Sequence, residues 1–120
     1  FLPTACEIAG TKAPHKTDGF SILPTLLGRK QTPHPFFYWE FHEGGSKQAV
    51  RMGSWKALRL TIDGPLELYN LETDLGEQHN VAREHPDIVA KIEAYLKTAR
   101  TPSEQWPLKA NKERKKKKKR

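Results

Sequence analysis

FFYWEFHEGGSKQAVRMGSWKALRLTIDGPLELY, residues 36–69, decides the fold. Its first seven residues, Phe36 to His42, are dense in aromatic side chains that suit a pleated surface. Period 2 places Phe37, Trp39 and Phe41 on one face and Tyr38, Glu40 and His42 on the other. Glu43-Gly44-Gly45-Ser46 reads as a turn. Lys47 to Met52 follows as a second strand, with Val50 and Met52 facing one way and Ala49 and Arg51 the other. Gly53-Ser54 turns the chain again into a third strand, Trp55 to Ile62, with Leu58, Leu60 and Ile62 on one side. Asp63-Gly64-Pro65 is a strong turn signal, and Leu66 to Tyr69 makes a short fourth strand. Four strands joined by short turns form an antiparallel meander.

Such a sheet needs a cover on its apolar face. After a polar, irregular stretch from Asn70 to His85, Pro86 opens a helix that runs to about Arg100. Ile88, Ile92, Leu96 and Ala99 follow helical spacing, and Val89 and Tyr95 widen the stripe. Asp87 in the first turn, and Lys97 and Arg100 in the last, match the helix dipole. The stripe is expected to lie on one face of the sheet, with Trp106 and Leu108 tucked back onto the body. Upstream, Leu2 to Gly10 and Ser21 to Gly28 read as short helices, each with an early proline and a late glycine. Neither is long enough to stand alone in water, so both require a partner to pack on. Pro33 and Pro35 make the connection to the sheet a loop. The fold class is α+β: a four-stranded antiparallel sheet packed against a C-terminal helix and preceded by short helices.

The 120 residues carry 21 Lys+Arg and 14 Asp+Glu, a net charge of +7. Nine of the basic residues and one acidic residue, Glu113, fall in Lys109–Arg120, which leaves twelve basic and thirteen acidic residues in the other 108. The high isoelectric point therefore belongs to a tail, and the body is near-neutral. This weakens the reading of a basic nucleic-acid-binding domain, which needs its charge on a folded face. The tail itself is expected to be disordered by self-repulsion and could bind polyanions non-specifically. There is no apolar run long enough to span a membrane. One cysteine, Cys6, excludes an internal disulfide and a multi-cysteine zinc site. The chain opens on Phe1 rather than Met, so a processed chain or one that continues upstream is expected.

Complete catalytic constellations are missing from the sequence. Cys6 sits among apolar neighbours on a helix face and reads as a structural thiol rather than a nucleophile. The five histidines, His15, His34, His42, His79 and His85, make no zinc-protease pattern. His42 stands out at the end of an aromatic strand, on the face of Glu40 and beside a Gly-Gly turn, where it could reach into a cleft or simply decorate a hairpin. Lys47, Arg51, Lys56 and Arg59 form a basic set on adjacent strands that could hold a sulfate, phosphate or carboxylate, or be ordinary paired positions. Asp74, Glu77 and Asn80 do not make an EF-hand loop and suit turn and cap roles.

Several segments resemble the C-terminal portion of bacterial type I (formylglycine-dependent, arylsulfatase A-like) sulfatases. Leu2-Pro3-Thr4 through Ala9-Gly10 is similar to that family's D-L-x-P-T-L-x-x-L-A-G helix, and Asp18-Gly19-Phe20-Ser21-Ile22-Leu23-Pro24 with Leu27-Gly28 to its D-G-x-S-L-x-P-L-L-x-G segment. Tyr38 to Gly45 and Gln48 to Ala57 resemble the strand pair that follows. Leu66-Glu67-Leu68-Tyr69-Asn70-Leu71 through Asp74, Glu77 and Asn80-Val81-Ala82 is similar to E-L-Y-D-L-x-x-D-P-x-E-x-x-N-L-A. The resemblance runs in register from Phe1 to about Leu108.

It implies a sulfuric ester hydrolase, possibly one acting on sulfated glycans, in which residues 1–30 end an α/β catalytic domain largely absent from this chain. Residues 31–108 would be the C-terminal α+β subdomain and residues 109–120 a Lys/Arg-rich tail outside the family. In that family a Cys or Ser within C/S-x-P-x-R becomes formylglycine, whose hydrate attacks sulfur beside a calcium ion. Cys6 is followed by Glu7-Ile8-Ala9-Gly10, so no catalytic residue and no metal ligand carries over. What the resemblance implies for this chain is a share in the rim of the substrate cleft, with His42 and Lys47 as substrate-binding residues. The implied partners are the catalytic domain upstream in the same polypeptide and a sulfated substrate, with no membrane, and with nucleic acid or polyanion engaging only the tail. Family habit implies a periplasmic or secreted location. The competing reading is a stand-alone interaction module that binds polyanions through the tail.

Overall fold

Two tight reversals and one longer connection fold residues 37–70 into a single sheet. The coordinates are a computed structural model that describes residues 1–110. The expected polyanion-binding tail therefore lies almost wholly outside the described residues. Strands β1 (Phe37–Phe41), β2 (Lys47–Met52), β3 (Trp55–Arg59) and β4 (Glu67–Asn70) pair in sequence order, each antiparallel to the next. The β2–β3 turn is set by Gly53, whose φ of 59° is a left-handed conformation that other side chains rarely adopt, and it pairs Met52 with Trp55. Everything downstream in the register follows from that turn. Tyr38 lies opposite Val50, Val50 opposite Ala57, and Ala57 opposite Leu68.

This row is the floor of the core. Helix α1 (Leu2–Ile8) and helix α2 (Leu23–Leu26) precede the sheet, and helix α3 (Pro86–Leu96) follows it. Val50, Ala57, Leu66 and Leu68 from the sheet are buried together with Ile92 and Leu96 of α3. Leu68 and Ile92 have no exposed surface at all. Phe36 stacks face to face on Tyr95 of α3, with ring centroids 4.0 Å apart, and extends the contact past the end of the sheet. The segment after β4 closes that strand's outer edge: the Leu68 amide donates to Asn80 Oδ1 at 3.1 Å, and the Val81 amide donates to the Leu68 carbonyl at 2.9 Å. The Asn80 side chain thus substitutes for a missing fifth strand.

Several local expectations shift. Strand β3 stops at Arg59 rather than Ile62, because residues 61–64 turn back, with the Gly64 amide donating to the Thr61 carbonyl at 2.9 Å. The buried residue of β3 is Ala57 and not Leu58, since the Gly53 turn puts Ala57 opposite Val50. On β1 the period-2 grouping holds, but Phe37, Trp39 and Phe41 form the exposed face at 46%, 51% and 53%, while Tyr38 and Glu40 face α3. Helix α3 ends at Leu96, where the Thr98 amide and hydroxyl both bond the Tyr95 carbonyl, at 2.9 and 3.2 Å. Arg100 therefore lies outside the helix.

The chain divides into two compact units, Phe1–Pro35 and a second that begins at Phe36. Within the first, the buried Thr4 hydroxyl of α1 accepts the Ile22 amide at 3.0 Å and so ties α1 to the start of α2. Gly10, at φ 66°, ends α1 as the Thr11 amide returns to the Cys6 carbonyl at 2.9 Å. Phe20 stacks on His34 at 4.0 Å.

Truncating Leu68 or Ile92 to Ala opens a cavity with no route to collapse and is expected to lower the unfolding free energy by about 2–5 kcal/mol. Leu75→Ala, at a turn position 82% exposed, is expected to change it by no more than about 0.5 kcal/mol. Urea denaturation followed by circular dichroism separates the two, and equal effects would contradict the core assignment.

Candidate functional site

The polar cluster grows out of the alternation in β1. Because Tyr38 points at α3, Glu40 does so too, one step along the strand, and a carboxylate there must be neutralised. Three groups do this. The Tyr38 hydroxyl donates to Glu40 Oε1. Arg100 Nε donates to the same oxygen at 2.5 Å, from sixty positions away in the sequence. His42 Nε2 lies 3.0 Å from Glu40 Oε2. Gln48, opposite Glu40 on β2, donates from Nε2 to the Tyr38 oxygen at 2.8 Å. The Glu40 and Arg100 side chains are only 15% and 17% exposed, so this ion pair is far less screened than an ordinary surface pair.

His42 is held from both sides. Its Nδ1 is 3.1 Å from Ser46 Oγ, and Ser46 is buried in the β1–β2 turn. With the proton on Nε2, the ring donates to Glu40 and accepts from Ser46. The returning segment closes over it: the Lys109 amide donates to Ser46 Oγ and the Ser46 amide to the Lys109 carbonyl, both at 2.8 Å. Arg100 Nη2 donates to the Trp106 carbonyl at 2.8 Å, and the Trp106 indole lies 5.8 Å from the His42 ring. Trp106 and Leu108 thus come back to the body as expected, with Arg100 as the anchor.

Lys47 is placed elsewhere. It is on the opposite face, with Nζ 5.3 Å from the centre of the Phe41 ring. His42 and Lys47 therefore share a hairpin but not a surface. The basic set of residues is likewise split. Lys47, Arg51 and Lys56 lie on the outer face, where Lys56 Nζ pairs with Glu77 Oε1 at 2.5 Å. Arg59 faces α3, bonding Gln48 Oε1 and Glu93 Oε1 at 3.4 Å each, and its buried Nε has no partner among the described residues. It lines a groove of about 270 Å³ with Gln48, Glu93, Lys97 and Leu108. Asp74, Glu77 and Asn80 take structural roles: Asp74 Oδ2 accepts the Gln78 and His79 amides at 2.9 and 2.8 Å, Glu77 holds Lys56, and Asn80 seals β4. Among the described residues, no three or more His, Cys, Asp and Glu side chains are grouped so as to hold a metal ion. Cys6, on α1, has no x-Pro-x-Arg after it.

The electrostatics match the geometry. Burial pushes the Tyr38 hydroxyl up to about 12, and donation to Glu40 adds to the rise. Burial alone would raise Glu40, but the hydrogen bonds from Tyr38 and Arg100, with the Arg100 charge, outweigh it and hold the carboxyl below its ordinary value of 4.5. Tyr69 is raised by burial and by its bond to Glu67. Both Glu40 oxygens are engaged, so the cluster fixes His42 and the return segment in place. Glu40 and His42 were legible as a pair on one strand face. Arg100, Ser46 and Tyr38 were not singled out, and only the i, i+2 spacing of Tyr38, Glu40 and His42 pointed toward them.

These directions fix a pH profile. A depressed Glu40 contributes stability that is fully present above its ordinary value of 4.5 and is lost as pH falls from there through the lowered value of the folded state. A raised Tyr38 contributes stability that is present below pH 10, its ordinary value, and is lost as pH climbs from there toward 12. Thermal melts are expected to fall on both flanks, and Tyr38→Phe is expected to flatten part of the alkaline flank. An alkaline flank unchanged in Tyr38→Phe would contradict the cluster.

No protein-family profile matches the chain. Individual proteins do. It is 33% identical over 103 residues to the Delta 4,5-hexuronate-2-O-sulfatase of Bacteroides thetaiotaomicron, a match that takes in 79% of this chain and 21% of that protein. It is 29% identical over 109 residues to arylsulfatase K of Rattus norvegicus, covering 80% of this chain and 19% of the relative. A solved structure of a 2-O GAG sulfatase superposes with a TM-score of 0.69 and 34% identity over 82% of this chain and 23% of its own. The chain thus spans about a fifth of the length of the curated relatives it matches. Alignment in sequence and superposition in space agree on one assignment: the chain belongs to the sulfatase family, and it carries the α+β fold of that family's C-terminal region.

Proposed function

We propose that this chain serves as the C-terminal portion of a sulfuric ester hydrolase acting on sulfated glycans. In this reading residues 1–30 complete the α/β catalytic domain and residues 31–108 form the C-terminal subdomain. The nucleophile and metal site belong to upstream sequence, and the chain alone is inactive. The observation that carries the reading is the superposition on a 2-O GAG sulfatase at 34% identity and a TM-score of 0.69. Two features of the site support a part in the cleft rim. His42 is held rigidly between Glu40 and Ser46, which suits a group that must orient an anionic sugar without reorganising. Lys47 sits over the Phe41 ring, which fixes a cation on the other side of the same hairpin. Calcium and formylglycine would be supplied by upstream sequence, and the sulfated substrate would be bound jointly.

Sulfate release from a Δ4,5-unsaturated 2-O-sulfated uronide tests this directly. The 120-residue chain alone is expected to release none, and turnover by it would overturn the division of labour. In the longer polypeptide, His42→Ala and Lys47→Ala are each expected to raise KM about tenfold with kcat nearly kept, which is the ~1.4 kcal/mol of one lost charge-assisted contact. An unchanged KM in both variants would remove the rim role and leave the fold-completing role intact.

A further inference from the structure

The outer face of β1 breaks the usual rule for an antiparallel sheet. One face of such a sheet is packed and the other solvated, with polar side chains pointing to water. Here α3 covers the inner face, and the outward residues of β1 are Phe37, Trp39 and Phe41. Trp39 and Phe41 are half exposed. Their neighbours in the register enlarge the patch: Ala49 lies opposite Trp39, Leu58 lies opposite Ala49, and both are on this same face. The small Ala49 side chain leaves the flank of the Trp39 indole uncovered by its cross-strand neighbour. Lys47 lies opposite Phe41 and Arg51 opposite Phe37, so cations border the apolar strip. Aromatic residues with flanking Arg are what protein interfaces are enriched in, and a contiguous apolar patch on a small body marks a contact surface.

We infer that this face, centred on Trp39 and Phe41, is where the chain packs against the remaining four-fifths of a sulfatase. The docked surface would be apolar at its centre, with carboxylates at its edge opposite Arg51. The inference rests on the reading of the chain as a sulfatase C-terminal portion. Two observations favour this occupant. The chain accounts for about a fifth of its relatives' length, so on that reading a large body stands beside it in the same polypeptide. In addition, the patch lies on the sheet face opposite α3, so α3 itself cannot cover it.

Hydroxyl-radical footprinting read by mass spectrometry tests the assignment on the 120-residue chain and on the longer polypeptide translated from the same gene. Trp39 and Phe41 are expected to label strongly in the chain alone and several-fold less in the longer protein. Trp106, 62% exposed and away from this face, serves as the reference in both. Equal labelling of Trp39 in the two would overturn the inference while leaving the sulfatase reading standing. Absence of any longer polypeptide would overturn both. Protection of Trp39 in the chain alone on adding a 2-O-sulfated disaccharide would make the face a sugar platform. Protection that grows with chain concentration would make it a contact between copies. Either outcome overturns the domain interface.

Discussion

The burial of Ile92 and Leu96 of α3 against Val50, Ala57 and Leu68 is the contact on which the other features depend. A four-stranded sheet of short strands and an eleven-residue helix are each marginal alone, and they are stable because each removes the other's apolar face from water. Once that contact forms, the face of every strand is decided, because the side-chain period of a strand is two. Tyr38 must join the inner row through its register with Val50. Phe37, Trp39 and Phe41 must then point outward, although they are the more hydrophobic set. The core therefore creates an exposed aromatic face as a consequence of its own geometry.

The same alternation creates the polar cluster. Sending Tyr38 inward sends Glu40 inward as well, toward the C-terminal end of α3. A carboxylate there would cost several kcal/mol unpaired. The early end of α3 at Leu96 releases Arg100 to reach it. Arg100 then holds the Trp106 carbonyl, and the return segment is pinned a second time where Lys109 and Ser46 exchange bonds. A single inward-facing acid thus organises His42, Ser46 and the last ten described residues around itself. The cost of burying the charge is offset by the hydrogen bonds from Tyr38 and Arg100 and the Arg100 charge, and the same contacts order a segment with no regular structure of its own.

How much of this was legible in the sequence follows from the range of each interaction. The strands were readable because turns at Gly44-Gly45, Gly53-Ser54 and Asp63-Gly64-Pro65 punctuate them locally. The helix was readable because Ile88, Ile92 and Leu96 recur at helical spacing. The grouping of β1 residues by face was readable, but which group faces the core was not. That choice depends on register with β2 and β3, and local hydrophobicity argued for the wrong set. The inward place of Ala57 was recoverable in principle, since a two-residue turn at Gly53-Ser54 sets 50 opposite 57. The Arg100–Glu40 pair was not recoverable from local pattern, because the residues are sixty apart and Arg100 also fits a helix C-terminus by charge.

The split between His42 and Lys47 bears on what this hairpin can do. A hairpin with an imidazole held on one side and a cation held on the other carries two groups that do not converge on one point. Convergence is what a nucleophile and its activating base require. Divergence is what the proposed rim role requires, since there separate groups meet separate parts of an extended ligand. The aromatic strip beside Lys47 argues in the same direction, because a surface that packs on a larger body fixes the hairpin relative to whatever that body binds. The sheet and α3 supply a rigid mount, and Glu40 and Arg100 lock the hairpin to it.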